Sequence, residues 1–125
     1  MILFCKENVP SSKNGRRWTG RHFVPSTATL KWRRQTSDWW DENRDRFLDH
    51  VKDKNLPLRI GFHFVRGSRH RYDWVNPVQT IQDEMVKKGW IEDDNVEFLV
   101  PVPFKMNKQY STYNKEKPGV YIKIY

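Results

Sequence analysis

The sequence predicts an α+β protein with a small mixed sheet of about four to five strands and two main helices packed on one face of it. Alternating apolar residues, the pattern of strands, occur in three segments, 58–65, 96–104 and 120–124, and the short apolar run 2–6 also predicts a strand. Apolar residues at helical spacing occur in two others, 37–54 and 77–88. The 125 residues include 7 Phe, 6 Trp and 5 Tyr, which are enough bulky rings for one core. We therefore expect a single domain over residues 1–125.

Short apolar and basic segments make up the first part of the chain. Residues 2–6 are predicted to form a strand, and Cys5 is expected to be a small core residue on it. A single cysteine excludes an intrachain disulfide and a metal site built from several cysteines. The segment 10–26 is rich in Pro, Gly, Ser and Arg, which predicts a long loop with a short strand at 21–24.

No segment is apolar enough to predict a leader or a membrane span. The opening MILFC is too short for the apolar region of a signal peptide. No apolar run approaches the ~18 residues of a transmembrane helix. The expected location is therefore the reducing environment of the cytoplasm.

Two amphipathic helices are predicted. The first covers 37–54, begins at a cap provided by Thr36 or Ser37, and has acidic residues in its first turn, where they suit the positive end of the helix dipole. Those acidic residues are Asp38, Asp41 and Glu42. The second helix is predicted to begin at Asn76, a preferred N-cap, with Pro77 in the first helical position.

The later strands differ in their patterns of alternation. Residues 58–65 alternate between apolar and other side chains, which predicts a half-buried strand. The segment 96–104 has an apolar face, formed by Val96, Phe98, Val100, Val102 and Phe104. The prolines on its other face predict a sheet edge, because proline cannot donate to a neighbouring strand. Residues 105–117 are predicted to be a polar loop, and 120–124 the last strand.

The net charge of +8 is distributed unevenly. Residues 1–34 contain eight basic side chains and one acidic one, whereas residues 73–99 contain seven acidic and two basic ones. A protein that only binds the nucleic-acid backbone has no need for such an acidic block. A metal-dependent nuclease needs both, because hard divalent metals prefer carboxylate ligands and a polyanionic substrate requires positive surroundings.

Three aspartates are candidates for the metal site. Asp73 precedes the second helix, and Asp93 and Asp94 follow it. A helix of about 12 residues is ~18 Å long, and six extended residues reach at most ~20 Å. The two ends therefore meet if residues 89–94 run back along the helix, or they pair across a dimer axis. Such a group would bind one or two Mg²⁺ or Mn²⁺ ions; the alternative is that all three side chains are solvated, in a turn and at the start of a hairpin.

The chain resembles the RusA-type Holliday junction resolvases in the order and spacing of its residues. The resemblance is strongest over 69–96, where RHRYDWVN is followed by IQDEMVKKGWIEDDNV, and it extends to the loop VPSSKNGRRWTGRHFVPS and the terminal KPGVYIKI. It implies a RusA-like fold and a homodimeric, Mg²⁺-dependent endonuclease that cuts four-way DNA junctions symmetrically. The family's acids correspond to Asp73, Asp93 and Asp94, which would be catalytic and would hold the metal.

Two positions depart from the family pattern. The family's second acid falls on Val75, which cannot bind a metal, and an expected lysine falls on Gln79. Asn76 and Asp83 are candidates to compensate, although the simpler interpretation of Asp83 is a solvated surface residue. A rival interpretation of the whole chain is a non-catalytic DNA-binding protein on the same scaffold. A third is a small interaction protein with no nucleic-acid role.

Basic residues interleaved with aromatic rings are expected to contact DNA, because charge binds the phosphates and exposed rings stack on unpaired bases. The basic residues are Lys13, Arg16, Arg17, Arg21, Arg33, Arg34, Arg69 and Arg71. The candidate rings, each of which is otherwise a core residue, are Trp18, Trp32 and Tyr72. The rings predicted to be packing residues are Trp39, Trp40, Trp74 and Trp90. His70 is expected to be solvated or to touch a phosphate, and the spacing of the histidines predicts no zinc site.

Overall fold

A computed structural model of the protein describes residues 1–11, 16–18, 20 and 23–125. Within this part of the chain the elements are β1 (Ile2–Lys6), β2 (Arg16–Trp18), β3 (Phe23–Pro25), α1 (Thr27–Val51), β4 (Leu58–Arg66), α2 (Val75–Lys87), β5 (Leu99–Pro103), β6 (Ser111–Tyr113) and β7 (Gly119–Ile124). The predicted α+β class, with a small mixed sheet and two helices, is confirmed. Neither of the described helices has the length and apolar composition needed to cross a membrane.

The main sheet has five strands, with β4 at its centre. β4 pairs with β7 in antiparallel orientation and with β5 and β6 in parallel orientation, and β1 pairs with the far side of β7. The central position explains why residues 60–65 are buried on both faces, so the prediction of a half-buried strand is wrong. A separate hairpin joins β2 to β3. The strand predicted at 21–24 is thus found at Phe23–Pro25, and residues 21–22 lie outside the described residues.

Both helices pack on one face of this sheet, as predicted. The core cluster joins alternate residues of β4 and β7 to the inward faces of α1 and α2. Its members include Ile60, Phe62, Ile122, Trp40, Phe47, Ile81 and Met85. Cys5 lies in the same cluster, and burial raises the pKa of its thiol to about 12. It is therefore a structural thiol, as the sequence predicted.

Helix α1 begins at Thr27 rather than at residue 37, because Ser26 is its cap. The Ser26 hydroxyl accepts a hydrogen bond of 3.2 Å from the Thr29 amide. Thr36, a predicted cap, lies inside the helix, where its hydroxyl donates to the Trp32 carbonyl at 2.9 Å. The first turn contains no acidic residue, so that prediction is wrong. The physical reason is the burial of Trp32, which extends the apolar face beyond the predicted start.

Helix α2 begins at Val75, so Asn76 is not its N-cap and Pro77 lies inside its first turn. Trp74 occupies the cap position without a side-chain capping hydrogen bond. Its indole N–H instead donates to the Phe62 carbonyl of β4 at 3.1 Å. The start of this helix is therefore held by the hydrogen bond between Trp74 and the sheet, and not by a side-chain cap. The proline remains compatible, because N–H groups in the first turn have no partner within a helix.

Strand β5 is shorter than predicted and has a different inward face. The backbone N–H groups of Phe98 and Leu99 donate to the Asn95 carbonyl, each at 3.0 Å, which forms a turn before the strand. Val96 is therefore 74% exposed whereas Leu99 is fully buried, so the apolar face predicted for 96–104 is wrong. β5 does lie at the edge of the sheet, as its prolines predicted. The predicted polar loop 105–117 contains one short strand, β6.

Candidate functional site

Helix α2 ends in a turn that reverses the direction of the chain. Gly89 has a φ of 76°, the left-handed conformation that commonly follows a helix and favours glycine. The Lys88 amide donates to the Glu84 carbonyl and the Trp90 amide to the Met85 carbonyl, each at 2.8 Å. These hydrogen bonds satisfy carbonyl groups of the last turn that have no helical partner. The direction in which the chain leaves the helix is therefore set by the turn.

Trp90 holds the segment that follows this turn against the core. Its side chain is 2% exposed, and its ring stacks on Phe47 with the ring centroids 4.6 Å apart. Its indole N–H donates to the Trp40 carbonyl of α1 at 3.1 Å. Beside it, the Lys88 ammonium forms an ion pair of 3.1 Å with the Asp41 carboxylate. Helix α1 thus positions the end of α2 and the residues after it.

The returning segment brings one of the predicted acids onto the side of α2. The Gln79 side-chain amide donates to the Asp94 carboxylate at 2.8 Å and to the Asp83 carboxylate at 2.7 Å. Gln79 and Asp83 are about one helical turn apart, so both lie on the helix face that Asp94 approaches. Residues 89–94 therefore run back along the helix, which was the condition for the acids at its two ends to approach each other.

The other two predicted acids have different surroundings. The exposed Asp93 carboxylate accepts hydrogen bonds from the Asp94 amide at 2.7 Å and from the Asn95 side-chain amide at 3.0 Å. It therefore orders the turn that carries Asp94. Asp73 is exposed just before α2. In the described part of the chain no three or more His, Cys, Asp or Glu side chains are placed to hold a metal. The three expected ligands, all of which are described, thus do not form one group within the chain.

The pair of Asp83 and Asp94 nevertheless fits a hard divalent cation. Both carboxylates accept from one nitrogen, so their oxygens converge on one point beside α2. Mg²⁺ holds oxygen ligands at ~2.0–2.1 Å, so each carboxylate would move by less than about 1 Å if an ion replaced the amide. Both residues are partly exposed, which suits an ion that keeps several water ligands. Asp73 lies just before the same helix, and Asp93 is adjacent to Asp94.

Asp83 is the site residue that the resemblance does not assign. The available signal was its spacing from Gln79, because helical residues four apart share one face. Gln79, which stands where the resemblance leads one to expect a lysine, leaves the negative charge of Asp83 and Asp94 without a neighbouring positive charge at this position. The neutral amide has two hydrogens and can satisfy two carboxylates, whereas a lysine would also neutralise part of their charge.

The predicted DNA-binding side chains are distributed over several parts of the fold. Those exposed on the described surface are Arg34, Arg69 and Arg71. Arg33 differs, since its side chain is only 23% exposed and forms an ion pair of 3.4 Å with Glu84, so its charge is used largely within the fold. Two lie on strand β2, Arg16 and Arg17. Two lie outside the described residues, Lys13 and Arg21.

The candidate rings for base stacking differ in their exposure and position. Trp32 is 2% exposed, so its proposed stacking role is wrong and its core role is correct. Tyr72 is partly buried, with the centre of the Arg66 guanidinium 3.8 Å from its ring centroid. Trp18 lies on β2. The four predicted packing rings all belong to the core or pack against it: Trp39, Trp40, Trp74 and Trp90.

Glu84 is a buried acid that the sequence analysis did not single out. Its side chain is 1% exposed and contacts Arg33, but within the described residues neither of its oxygens accepts a hydrogen bond. Burial raises the pKa of this carboxyl, because removal from water disfavours the charged form, and the positive charge of Arg33 opposes the shift. Glu84 lies between the two helices that position the site, so it links their packing to pH.

The stability of the protein should therefore depend on the charge of Glu84. The pKa of Glu84 is higher in the folded protein than in the unfolded chain, so its protonated form stabilises the fold. This contribution is complete at pH values below the unfolded pKa, and it is lost as the pH rises through the folded pKa. Glu84→Gln should thus raise the free energy of unfolding at pH 7, and the gain should shrink towards pH 4. Urea titrations at both pH values measure this, with the exposed Glu97→Gln as control. A gain that is equal at both pH values would contradict the assignment.

Comparisons with known proteins do not assign the chain to a family. No protein-family model matches it, and no curated protein matches it. The resemblance to the RusA-type resolvases therefore rests on the order and spacing of the residues over 69–96.

Proposed function

We propose that this protein is a divalent-metal-dependent, structure-selective endodeoxyribonuclease that resolves Holliday junctions as a homodimer. The observation that carries the proposal is the convergence of Asp83 and Asp94 on one point beside α2. That helix follows a loop whose exposed basic residues include Arg69 and Arg71. Carboxylates next to cations are the combination that a metal-dependent nuclease requires, since the acids bind the metal and the cations bind the phosphates.

The roles of the residues follow from their positions. Asp94 and Asp83 would hold Mg²⁺ or Mn²⁺, with Asp73 as the third acid at the start of α2. The bound metal would polarise the scissile phosphate and lower the pKa of the attacking water. The Gln79 amide would turn away from the carboxylates and could then donate to a phosphate oxygen. Asp93 keeps Asp94 in place through its hydrogen bond to the Asp94 amide.

A homodimer suits this activity because a four-way junction requires two symmetric cuts. Two copies related by a twofold axis present the same site to the two strands that are cut. The net charge of +8 per chain attracts a polyanion, so junction binding should weaken steeply as the salt concentration rises.

The test is incubation of the purified protein with an end-labelled four-way junction in Mg²⁺, in Mn²⁺ and in EDTA. We expect paired, symmetric nicks with either metal, none in EDTA, and none in a linear duplex made from the same strands. Equal cutting of the junction and the linear duplex would contradict structure selectivity. Cutting that persists in EDTA would contradict the metal requirement.

A second candidate function is junction binding without cleavage. Two observations favour it: Val75, at the position of the family's second acid, is a 63% exposed apolar residue, and the Gln79 side-chain amide donates hydrogen bonds to both carboxylates. Tight, salt-dependent binding of the junction in EDTA, together with no cutting in Mg²⁺ or Mn²⁺, would identify this function instead.

Restoring an acid at the start of α2 should strengthen the site. Val75→Asp is expected to tighten Mg²⁺ binding and raise the cleavage rate by about 10-fold, because a further carboxylate would join the existing pair. The side chain is exposed, and an acid near a helix N-terminus is favourable, so folding should not suffer. Calorimetric Mg²⁺ titration and cleavage rates measure the two effects.

The matched control for this substitution is Leu48→Asp, which adds the same charge on the exposed side of α1. It should change neither quantity. If Val75→Asp lowers both the affinity for Mg²⁺ and the cleavage rate while the control does not, Val75 is not the position of a missing ligand.

A further inference from the structure

A cavity of about 320 Å³ lies between the loop after β4 and strand β6. Its lining includes Arg66, Arg69 and His70 from the loop side and Ser111 and Tyr113 from β6. Tyr72 also lines it, and the following residue is Asp73. The chain therefore passes directly from this cavity to the first of the predicted acids.

The cavity suits an anion. Among the described residues that line it are two arginines and a histidine, and none of them is acidic. The other lining residues carry hydroxyl or amide groups or aromatic rings, which can donate hydrogen bonds or cover a ligand. Cations without neighbouring carboxylates retain their full charge for a ligand, whereas the charge of Arg33 on α1 is used by Glu84.

Arg66 is the residue that most specifically indicates a ligand. Its guanidinium lies over the Tyr72 ring, and its Nη1 atom is buried and donates no hydrogen bond within the described part of the chain. Buried donors are nearly always satisfied, because an unpaired one loses its hydration without compensation. A rotation of the guanidinium that turns Nη1 towards the cavity would let an oxygen acceptor there remove this cost. The planar guanidinium fork matches the oxygens of a phosphate.

The neighbouring groups suit a phosphate that is part of a nucleic acid. The Arg69 guanidinium lies 4.5 Å from the centroid of the Tyr113 ring, and Tyr113 is 42% exposed. An exposed ring beside phosphate-binding cations can contact a sugar or base of the same strand. The cavity is open to solvent on one side, so a phosphate that is part of a longer strand can reach it.

We propose that this cavity binds a backbone phosphate of DNA, with Arg66 and Arg69 as the residues that hold it. The proposal rests on the proposed function for its choice of DNA as the ligand. Arg66 was not among the residues singled out from the sequence, because its position over Tyr72 and next to β6 depends on strand pairing. A phosphate held here would contact the segment of the chain that leads into α2.

The experiment measures binding of a fluorescent four-way junction in EDTA, so that cleavage does not contribute. Arg66→Gln and Arg69→Gln should each weaken binding by about 10-fold and lower the slope of log K against log salt by about 1. Arg66→Lys should have a smaller effect, because it keeps the charge but loses the fork. The matched control is Arg59→Gln, an exposed arginine on the same strand that also lies over a tyrosine. It should change the affinity by less than about 2-fold.

The outcomes separate the cavity from the proposed nuclease activity. Loss of binding in the Arg66 and Arg69 variants supports the cavity even if the wild-type protein never cuts a junction. Unchanged binding in both variants overturns the cavity even if the wild type cuts. Because Arg66→Gln could unfold the protein, its urea midpoint is measured as well, and the exposed Arg69 gives an independent result.

A competition experiment distinguishes the source of the phosphate. Unlabelled single-stranded oligonucleotide should displace the labelled junction at a phosphate concentration at least about 10-fold below that of inorganic phosphate at equal ionic strength. Equal displacement by the two competitors would overturn the assignment to DNA and identify a site for free phosphate.

Discussion

Asp94→Asn is expected to lower the rate of junction cleavage by at least about 100-fold in Mg²⁺. A metal-bound carboxylate contributes several kcal/mol to transition-state stabilisation through the cation it holds, and each ~1.4 kcal/mol is a factor of ten in rate. Asparagine can still accept the hydrogen bond from Gln79, so the fold around the site should persist. Cleavage rates measured with saturating enzyme, together with urea midpoints, separate the loss of activity from a loss of stability.

The other aspartates provide matched comparisons for this experiment. Asp83→Asn should reduce cleavage by a factor similar to that of Asp94→Asn, because the two carboxylates converge on the same point. Asp93→Asn should have a smaller effect, since asparagine can also accept from the Asp94 amide and keep the turn. Asp49→Asn, with a carboxylate 75% exposed on α1, is the control and should not change the rate. Equal cutting by the wild type and Asp94→Asn would remove Asp94 from the mechanism.

Trp90→Ala is expected to lower the free energy of unfolding by about 3–5 kcal/mol. The ring is buried between α1 and the returning segment, 4.6 Å from the Phe47 ring centroid and 4.9 Å from that of Trp40. Its removal leaves a large cavity and also loses the hydrogen bond to the Trp40 carbonyl. The segment that carries Asp94 would then lose its attachment to α1. The site should therefore weaken even under conditions in which the variant is still folded.

Urea denaturation measures the change in stability, and Mg²⁺ titration of the folded variant measures the effect on the site. Trp90→Phe keeps most of the packing but loses the indole N–H, so it should cost only about 1–2 kcal/mol. Tyr110→Ala is a control with an aromatic ring that is 55% exposed, and it should change stability by less than about 0.5 kcal/mol. If Trp90→Ala changes the free energy of unfolding as little as this control does, the structural role of Trp90 is contradicted.

The fold class was predictable because two strands have strong alternation. Val120, Ile122 and Ile124 point into the core as the pattern required, and the even-numbered residues of β4 do the same. The start of α1 was not predictable from local signals, since Ser26 and Thr36 are both good caps. The choice between them depended on Trp32. Because its side chain is buried in the core, the helix begins before it, at the Ser26 cap.

The inward face of β5 could not be predicted for a related reason. Alternation predicts a face only if the strand is continuous, and the turn that begins at Asn95 interrupts it. The Asn95 carbonyl accepts from both Phe98 and Leu99, a pattern that side-chain periodicity does not report. Similarly, β6 has only three residues, and its pairing with the end of β4 depends on the position of the whole sheet.

Composition and spacing were sufficient to locate the acidic block at α2 and to predict that the chain after it could return along the helix. They were not sufficient to identify which carboxylates face each other. Asp93 and Asp94 are adjacent and chemically identical, and the backbone turn held by Gly89 and Trp90 directs only one of them at Gln79. Side-chain direction depends on backbone angles that distant packing sets, so the pairing of Asp94 with Asp83 required the tertiary structure.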